Sequence, residues 1–516
     1  MAHRALALAL TLAASSALAA PPKAPAAKAA APKAAAKAAP AAKAASAKAA
    51  APAKAKPAGP FKAIPFAYEA KTLKNGLRVV LVPYDSPGLV AVYTLMRVGS
   101  RNEVEAGRSG YAHFFEHMMF RGTKTHSGED YNATVTRLGL DTNAFTSTDH
   151  TIYHLYGPSS ALPTILEYEA DRFANLDYPE DQFKTEAGAI RGEYDKSAAN
   201  PLLKMEERMN ETAFDKHTYR HTTLGYLADI DAMKDGYKYS REFFGRYYTP
   251  DNATLFIVGD FDKKHALELI EKDYGSWKGK MKALPIPVEP KQKEARRAHV
   301  GWDNPTLPYL WMTWKVPGAA DLKSAAVMTV LNAYLYGPTS PLYQDLVLGR
   351  SLCEELDSTW DNQRDPTLFG PLAKVKKLED VPVVETAVLM AMGELSAGKV
   401  DKARLDAVRS NLKYSAALAL DKPDRTAVTM ALETSLTGDL EYENKLFTQI
   451  EKLQPADLVA FAKRQFVESG RTTVTLSQGA GPKEPEAPAP APKATKAPKA
   501  AGAKPAVKAQ KKGGAK

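Results

Sequence analysis

Residues 110–123 read GYAHFFEHMMFRGT and predict a helix, beginning near Ser109, that carries two histidines on one face. His113 and His117 are four residues apart, so a helix places their imidazoles on adjacent turns. Two imidazoles in that arrangement suit a zinc ion, which needs a further ligand from elsewhere in the chain. Glu116 lies beside His117, where a carboxylate can accept a proton from a zinc-activated water.

The order His-x-x-Glu-His is the inverzincin signature, the reverse of the commoner zincin motif. A solvated helix face rich in His and Glu is the alternative interpretation. The neighbouring residues argue against it, because they are large and apolar and indicate a buried helix: Phe114, Phe115, Met118, Met119 and Phe120. Buried polar side chains need partners, and a metal ion would supply one.

The sequence around this helix predicts a mixed lobe of strands and helices over residues 61–278. The Asn75-Gly76 pair signals a hairpin between two strands. Other strands are predicted at 89–100, within 141–156 and at 253–260, and helices at 161–175 and 179–196.

A second lobe is predicted over residues 298–479, after a linker at 279–297 that mixes prolines with basic residues. It repeats the coarse order of the first lobe, with strands at 309–316 and 472–477 and helices at 323–336, 341–348, 382–397 and 402–420. Its helix SAAVMTVLNAYL has no histidine and no acid, so the metal belongs to the first lobe. The predicted fold is α+β: two homologous lobes, each a mostly antiparallel sheet packed against helices, facing each other as a clamshell.

The two ends of the chain differ from this body. Residues 1–19 predict a signal peptide, with Arg4 before an apolar stretch and an Ala17-Leu18-Ala19 cleavage site, so an exported protein, periplasmic or secreted, is expected. A membrane anchor is the alternative, but the stretch is short and alanine-rich. Residues 20–60 and 480–516 are Ala/Lys/Pro segments predicted to be disordered.

Charge is concentrated in those two segments. Residues 20–60 hold eight lysines and no acid, and residues 480–516 hold nine lysines and two glutamates, whereas the whole chain has a formal charge of +10. The body between them is therefore mildly acidic. The segments are predicted to be solvated spacers or, alternatively, an electrostatic tether to an anionic envelope surface. No specific nucleic-acid contact is indicated, and the lone Cys353 excludes a disulfide within the chain.

Several segments together resemble the pitrilysin/insulinase family of metallopeptidases, which includes mitochondrial-processing-peptidase-like members. They are RVGSRNE with GYAHFFEHMMFRGT, NAFTSTDHTIY, TEAGAIRGEYDK and YYTPDNATLFIVGDFD, and the resemblance extends from about residue 70 to 477. It implies one zinc ion per chain and a third ligand 76 residues beyond the second histidine, which is Glu193. A second family glutamate falls on Glu186, two helical turns earlier, and is expected to orient the ligands. An ordinary surface acid is the alternative for Glu186.

The resemblance also implies a substrate strand. An edge strand with the pattern Asn-Ala-x-Thr pairs with the peptide backbone in this family, and here the pattern falls on Asn143, Ala144, Phe145 and Thr146. A plain sheet strand with a turn residue at its start is the alternative.

One family feature is missing. Active members use an Arg and a Tyr, seven residues apart, from the second lobe. In the predicted helix SPLYQDLVLGRSLCEEL these positions fall on Val347 and Glu354, and Tyr343 and Arg350 have the same spacing in reverse order. This departure predicts a heterodimer in which a homologous subunit supplies the pair.

The predicted function is a zinc-dependent endopeptidase acting on unfolded peptides, as the metal-bearing subunit. A catalytically inactive scaffold of the same fold is the main alternative, and a polyanion-binding envelope protein driven by the tails is a third. Other histidines are interpreted as structural or surface residues: His126, His150, His154, His217 and His221.

Overall fold

A computed structural model describes residues 61–482 of the chain. The predicted signal peptide, the 20–60 segment and nearly all of the 480–516 tail lie outside the described residues. Within residues 61–482, no helix combines the length and apolar character that a membrane crossing requires.

The first lobe is built on a six-stranded sheet in the order β1-β2-β6-β3-β5-β4. Its strands are β1 (Glu69–Thr72), β2 (Arg78–Pro83), β3 (Leu89–Met96), β4 (Asp141–Thr146), β5 (Thr151–Pro158) and β6 (Ala253–Gly259). Strands β1 and β2 form the hairpin predicted at Asn75-Gly76, where Gly76 takes a φ of 99° that glycine adopts at no steric cost. All strand pairs are antiparallel except β2 with β6.

The second lobe repeats this topology in its own six-stranded sheet, in the order β7-β12-β8-β11-β9 with β10 also paired to β8. The strands are β7 (Arg296–Trp302), β8 (Tyr309–Val316), β9 (Cys353–Ser358), β10 (Thr367–Phe369), β11 (Pro371–Val375) and β12 (Arg471–Gln478). In each sheet an early strand pairs in parallel with the last strand of the lobe, which then pairs antiparallel with the next one. The predicted α+β fold with two lobes is confirmed, and the matching order of strands supports the predicted duplication.

Helices cover both sheets. Those of the first lobe are α1 (Tyr111–Met118), α2 (Gly128–Leu138), α3 (Leu162–Asn175), α4 (Glu180–Ala198), α5 (Pro201–Ala213), α6 (Leu227–Ala232), α7 (Tyr237–Tyr247) and α8 (Lys263–Tyr274). Those of the second are α9 (Leu322–Tyr336), α10 (Pro341–Tyr343), α11 (Val381–Ser396), α12 (Lys402–Leu418), α13 (Pro423–Thr437), α14 (Tyr442–Lys452) and α15 (Pro455–Gln465).

Two sequence predictions need correction. Strand β7 begins at Arg296, inside the predicted linker, because Arg296 already pairs with Thr472 of β12. The helix predicted at 341–348 is confirmed, since α10 continues as a wider π-turn to Gly349, but the longer segment 340–356 is not one helix, because Glu354 lies on strand β9. Ser351, with a φ of 55°, breaks the helix between them.

The lobes interlock through one helix each. One face of the first sheet packs on helices of its own lobe, and the other face packs on α13 of the second lobe through Ala427, Met430 and Ala431. In the reverse sense, Met205 and Met209 of α5 pack with Val474 and Leu476 of the second sheet. One helix of each lobe therefore packs against the sheet of the other lobe, an arrangement that the predicted clamshell did not include.

Candidate metal centre

Helix α1 carries the predicted metal ligands and is fixed at both ends. Gly110 precedes it with a φ of 90°, and the buried Glu103 accepts hydrogen bonds from the N–H groups of Gly110 (2.8 Å) and Ala112 (2.7 Å). A carboxylate at this position satisfies donors that have no partner within the helix. Near the other end, the Tyr153 hydroxyl donates to the carbonyl of Phe115 at 3.0 Å.

Helix α4 brings two glutamates to the same place. Glu186 and Glu193 are two turns apart on its buried face. Glu193 Oε2 lies 3.2 Å from His117 Nε2 and 3.7 Å from His113 Nε2. The structure thus brings together the two histidines and the glutamate that the sequence pattern and the resemblance had singled out.

Glu116 completes the cluster. One ligand atom each from His113, Glu116 and His117 can be chosen so that all three lie within 4.8 Å of one another. His113, Glu116 and Glu193 are almost wholly buried, with exposed fractions of 5%, 5% and 7%. A buried set of two imidazole nitrogens and one carboxylate is the donor chemistry of a catalytic zinc site.

Unsatisfied atoms show that these residues fit a metal ion. Both carboxylate oxygens of Glu193 are buried and accept no hydrogen bond within the described part of the chain. Buried polar atoms without partners are rare and costly, and a cation is the partner that a carboxylate beside two imidazoles lacks.

The surroundings shift the pKa values of the two histidines in opposite directions. Burial, together with the nearby His117, lowers the pKa of His113 to about 4, so that this imidazole is neutral and able to bind a metal. Burial also disfavours charge on His117, but the carboxylates of Glu186 and Glu193 outweigh it and raise the pKa of His117 to about 10. Carboxylates that stabilise a cation on this ring also increase the basicity of a ligand.

Glu186 acts on His117 from behind. Its Oε1 atom lies 3.0 Å from His117 Nδ1, and its Oε2 atom accepts a hydrogen bond from Arg121. Burial would raise the pKa of Glu186, yet His117 and Arg121 hold it below its ordinary value. With Nδ1 engaged, the Nε2 atom of His117 is directed to Glu193, which is the geometry expected of a group that orients a ligand.

Strand β4 reaches this cluster at its last residue. The hydroxyl and backbone of Thr146 hydrogen-bond to Glu116, and they offset part of the burial that raises the pKa of that carboxyl. Strand β4 is an edge strand, because it pairs only with β5 among the described strands. Its other side is therefore available for a further strand.

The remaining residues of the predicted substrate pattern differ in their surroundings. Asn143 is half-buried, and its Oδ1 atom accepts from the N–H of Ala144 at 2.9 Å. Ala144 packs with α1 and its neighbours, whereas the Phe145 side chain belongs to the core shared with α13. A peptide added to β4 would thus meet the backbone of Phe145 and not its ring.

The positions of the missing Arg/Tyr pair lie in the second lobe. Val347 packs partly buried against that lobe's core, and Glu354 pairs with Lys374 at 3.1 Å. Two of the histidines that were interpreted as structural or surface residues have partners away from the metal cluster. His126 stacks on Tyr168, and His217 Nε2 lies 2.9 Å from Asp365 Oδ2.

Two residues that bear on the site were not singled out from the sequence, namely Glu103 and Arg121. Glu103 lies in the RVGSRNE segment, seven residues before Gly110. Its contact with the helix start depends on the fold of an intervening loop, which local pattern does not reveal. Arg121 lies three residues beyond the end of α1, and a basic residue four positions after His117 was the available signal.

Comparison with known proteins places the chain in a family. Residues 79–226 match the model of the insulinase family, peptidase family M16, and residues 237–412 match the model described as the peptidase M16 inactive domain. The zinc protease PqqE of Helicobacter pylori is 30% identical over 419 residues, covering 79% of this chain and 92% of that protein. The chain belongs to the insulinase family of zinc peptidases, as the resemblance predicted.

Solved structures agree with the fold. The crystal structure of a protease from Helicobacter pylori has a TM-score of 0.75 and 31% identity, covering 80% of this chain and 99% of that one. The periplasmic protease PqqL from Escherichia coli has a TM-score of 0.66 and 19% identity, covering 80% of this chain but 48% of that one. This chain is similar in extent to about half of PqqL.

Proposed function

We propose that the chain is a zinc-dependent endopeptidase that hydrolyses unfolded peptides and oligopeptides. The observation that carries the proposal is the convergence of His113, His117 and Glu193, in which both Glu193 oxygens are buried without a hydrogen-bond donor. Membership of a zinc peptidase family supports the same chemistry.

The roles of the residues follow from their positions. His113, His117 and Glu193 would hold one zinc ion, whose Lewis acidity makes water nucleophilic near neutral pH and polarises a carbonyl. Glu116, next to these ligands, accepts the proton of the attacking water and delivers it to the leaving amine. Thr146 keeps the Glu116 carboxyl in place and makes its ionised form more accessible.

Substrate is proposed to bind by strand addition. The free edge of β4 offers backbone donors and acceptors to an extended peptide, and these supply the part of the affinity that does not depend on side chains. Asn143, Ala144, Phe145 and Thr146 present this edge, and Thr146 brings the peptide next to Glu116. Only a peptide in extended form can pair in this way, which favours unfolded substrates.

The chain is further proposed to act as the metal-bearing subunit of a two-subunit assembly. The second lobe has Val347 and Glu354 where active family members have Arg and Tyr, so the groups that stabilise the oxyanion would come from a homologous chain. The extent of the match to PqqL, 48% of that chain, is consistent with a working unit twice this size.

Export to the periplasm or beyond is proposed from residues 1–19, and PqqL is a periplasmic protease. In that compartment the basic segments at both ends would contact the anionic envelope surface. Deletion of both segments tests this: peptidase activity should persist while attachment to the envelope is lost.

The decisive test of the catalytic proposal is Glu116→Gln. We expect this variant to retain one zinc ion per chain while turnover of an unfolded peptide falls about a hundred- to ten-thousand-fold, the usual value of a general base. Zinc content by elemental analysis and peptide hydrolysis are the two measurements. Glu180→Gln, an exposed glutamate on the helix that carries Glu193, is the matched control and should leave both unchanged.

The same assay separates the alternatives. An inactive scaffold would hydrolyse no peptide as the wild-type chain, whether alone or with its co-purified partner. Full activity of the purified chain alone would contradict the two-subunit proposal but leave the metal site intact. Hydrolysis retained by Glu116→Gln would remove Glu116 from the mechanism.

A further inference from the structure

A loop of the second lobe touches the turn that ends the substrate strand. Residues 359–366 connect β9 to β10, and the N–H of Arg364 donates to Asp149 Oδ2 at 2.8 Å. Gln363 Nε2 also donates to the Thr148 hydroxyl at 3.1 Å. Asp149 is three residues beyond Thr146, a path of at most about 10 Å. The loop therefore lies within a few residues of the place where a bound peptide would meet Glu116.

The two acids at this contact between the lobes, Asp149 and Asp365, have other hydrogen-bond partners. Arg101 hydrogen-bonds to Asp365 and lies 3.8 Å from Asp149. Asp149 also accepts a hydrogen bond from the Tyr219 hydroxyl at 2.7 Å, and Asp365 lies 2.9 Å from His217 Nε2. Both acids thus have hydrogen-bond partners other than the Arg364 side chain, although the Arg364 charge also stabilises the ionised form of Asp149.

The Arg364 side chain has no direct polar partner among the described residues. Its guanidinium is half-buried but forms no hydrogen bond or ion pair with any residue in the range 61–482. Burial and the charge of Arg101 lower its pKa. None of its nitrogens is among the fully buried unsatisfied atoms, so its five donors face solvent and are free to bind an anion.

A second arginine lies beside it. Arg97 donates through Nε to the carbonyl of Ser435 at 3.3 Å, near the end of α13, and has no carboxylate within ion-pair distance in the described chain. Burial, and then repulsion by Arg364 and Arg101, lowers the pKa of Arg97 to about 10. Arg97 thus has a hydrogen-bond partner at the end of α13, whereas the Arg364 guanidinium has, within the described part of the chain, only the more distant charges of Asp149 and Asp365.

We propose that Arg364, assisted by Arg97, binds a carboxylate of the peptide substrate, either its C-terminus or an acidic side chain. This inference rests on the proposed peptidase function and narrows its substrates to peptides with a carboxylate near the scissile bond. An extended peptide advances about 3.4 Å per residue, so the carboxylate lies about three residues beyond the one opposite Thr146. A carboxylate matches the planar donors of arginine in pairs, which gives both affinity and register.

The test compares peptides that differ only in that charge. One pair ends in a free carboxylate or an amide, and a second series carries Glu or Gln at successive positions of an amidated peptide. Affinities are measured by fluorescence anisotropy on the full-length Glu116→Gln chain, which does not consume the peptide. Values of kcat/KM are measured on the wild-type chain with its co-purified partner. We expect the carboxylate form to be favoured about tenfold or more in one of the two series, which identifies its source.

Variants assign the preference to Arg364. In Arg364→Gln the ratio between acidic and neutral peptides should fall to near one, and Arg364→Lys should keep part of it because a single ammonium replaces the fork. Arg425→Gln removes an exposed arginine of α13 as a matched control and should leave the ratio unchanged. The variants are expected to fold, because the hydrogen bond to Asp149 comes from the backbone N–H of Arg364, which the substitutions keep. Thermal melting checks this.

The outcomes are separable from those of the peptidase proposal. Equal affinity for acidic and neutral peptides in both series, or a preference that persists in Arg364→Gln, overturns the inference even if the chain hydrolyses peptides. A preference in binding that disappears in Arg364→Gln supports it even if turnover proves undetectable.

Discussion

The two lobes share one sheet topology, yet only one of them buries histidine and acidic side chains in its first helix. In the first lobe, α1 follows β3 and buries His113 and Glu116. In the second, α9 follows β8 at the corresponding place and buries ten residues, none of which is a histidine or an acid. The second lobe therefore acts as an internal control for the first.

This difference separates what the fold needs from what the site needs. Helix α9 packs well with Ala, Val, Leu and Met, so the topology itself does not require charge at these positions. Burying imidazole and carboxylate groups lowers stability unless they are paired. Their presence in α1 is therefore better explained by metal binding than by packing.

The largest expected effect comes from making α1 resemble its counterpart. Replacing the whole cluster, with Leu at His113, His117 and Glu193 and Met at Glu116, should abolish zinc binding and peptide hydrolysis. The metal-free chain should remain at least as stable, because replacing a buried polar cluster with apolar residues of similar volume is neutral or stabilises by about 1–4 kcal/mol. Zinc analysis and thermal melting in the presence of a chelator measure the two effects.

A control sharpens that experiment. Glu193→Ala alone should also remove zinc, but it leaves the two imidazoles facing an empty space and should lower the melting temperature of the chelated protein. If the variant with all four residues replaced is the one that unfolds, the polar residues of this cluster are structural and the comparison between the lobes does not apply.

A smaller effect is expected at Glu186, which contacts His117 on the side away from Glu193. Glu186→Gln keeps the shape of the side chain but weakens its hold on His117 Nδ1 and Arg121. Zinc affinity should fall about ten- to a hundredfold, as for other groups that orient metal ligands, with the fold intact. Competition with a zinc chelator gives the affinity, and unchanged affinity would make Glu186 an ordinary acid.

Local pattern was sufficient for much of this molecule. The large apolar residues around His113 indicated that α1 is a buried helix, and the Asn75-Gly76 pair predicted the first hairpin. The motif in α1 predicted two candidate ligands and the base without reference to any other segment. Glu193 lies on a different helix, and its selection needed the family resemblance because spacing along the chain does not define distance in space.

Features that depend on long-range packing were not predicted. Helix α13 contacts the other lobe's sheet on one side and its own lobe on another, so its apolar residues do not form a single stripe. Strand β9 has the sequence CEELDS, which lacks the β-branched residues typical of strands and is held by its pairing with β11. The unpaired Arg364 could be recognised only once two distant loops were seen together.

The smallest predicted effect concerns the joint between the lobes, at Glu289 in the linker. Its carboxylate accepts hydrogen bonds from the N–H groups of residues 215–217 in the first lobe and from Lys315 on β8 of the second. Burial alone would raise the pKa of Glu289, but Lys315 and these N–H groups hold it below the ordinary value of 4.5. Glu289→Gln should lower the free energy of unfolding at pH 7 by about 1–3 kcal/mol.

The pH dependence of that loss has a definite sign. Because the folded chain holds the carboxylate ionised to lower pH than the unfolded chain does, its contribution is complete above pH 4.5 and decreases as the pH falls through the lower folded value. The difference between wild type and Glu289→Gln in urea unfolding should therefore shrink on acidification. Glu294→Gln, an exposed linker acid, is the control and should show no such trend. A difference that grows toward low pH would mean that Glu289 is not a charged bridge between the lobes, and that the crossed helices alone hold them together.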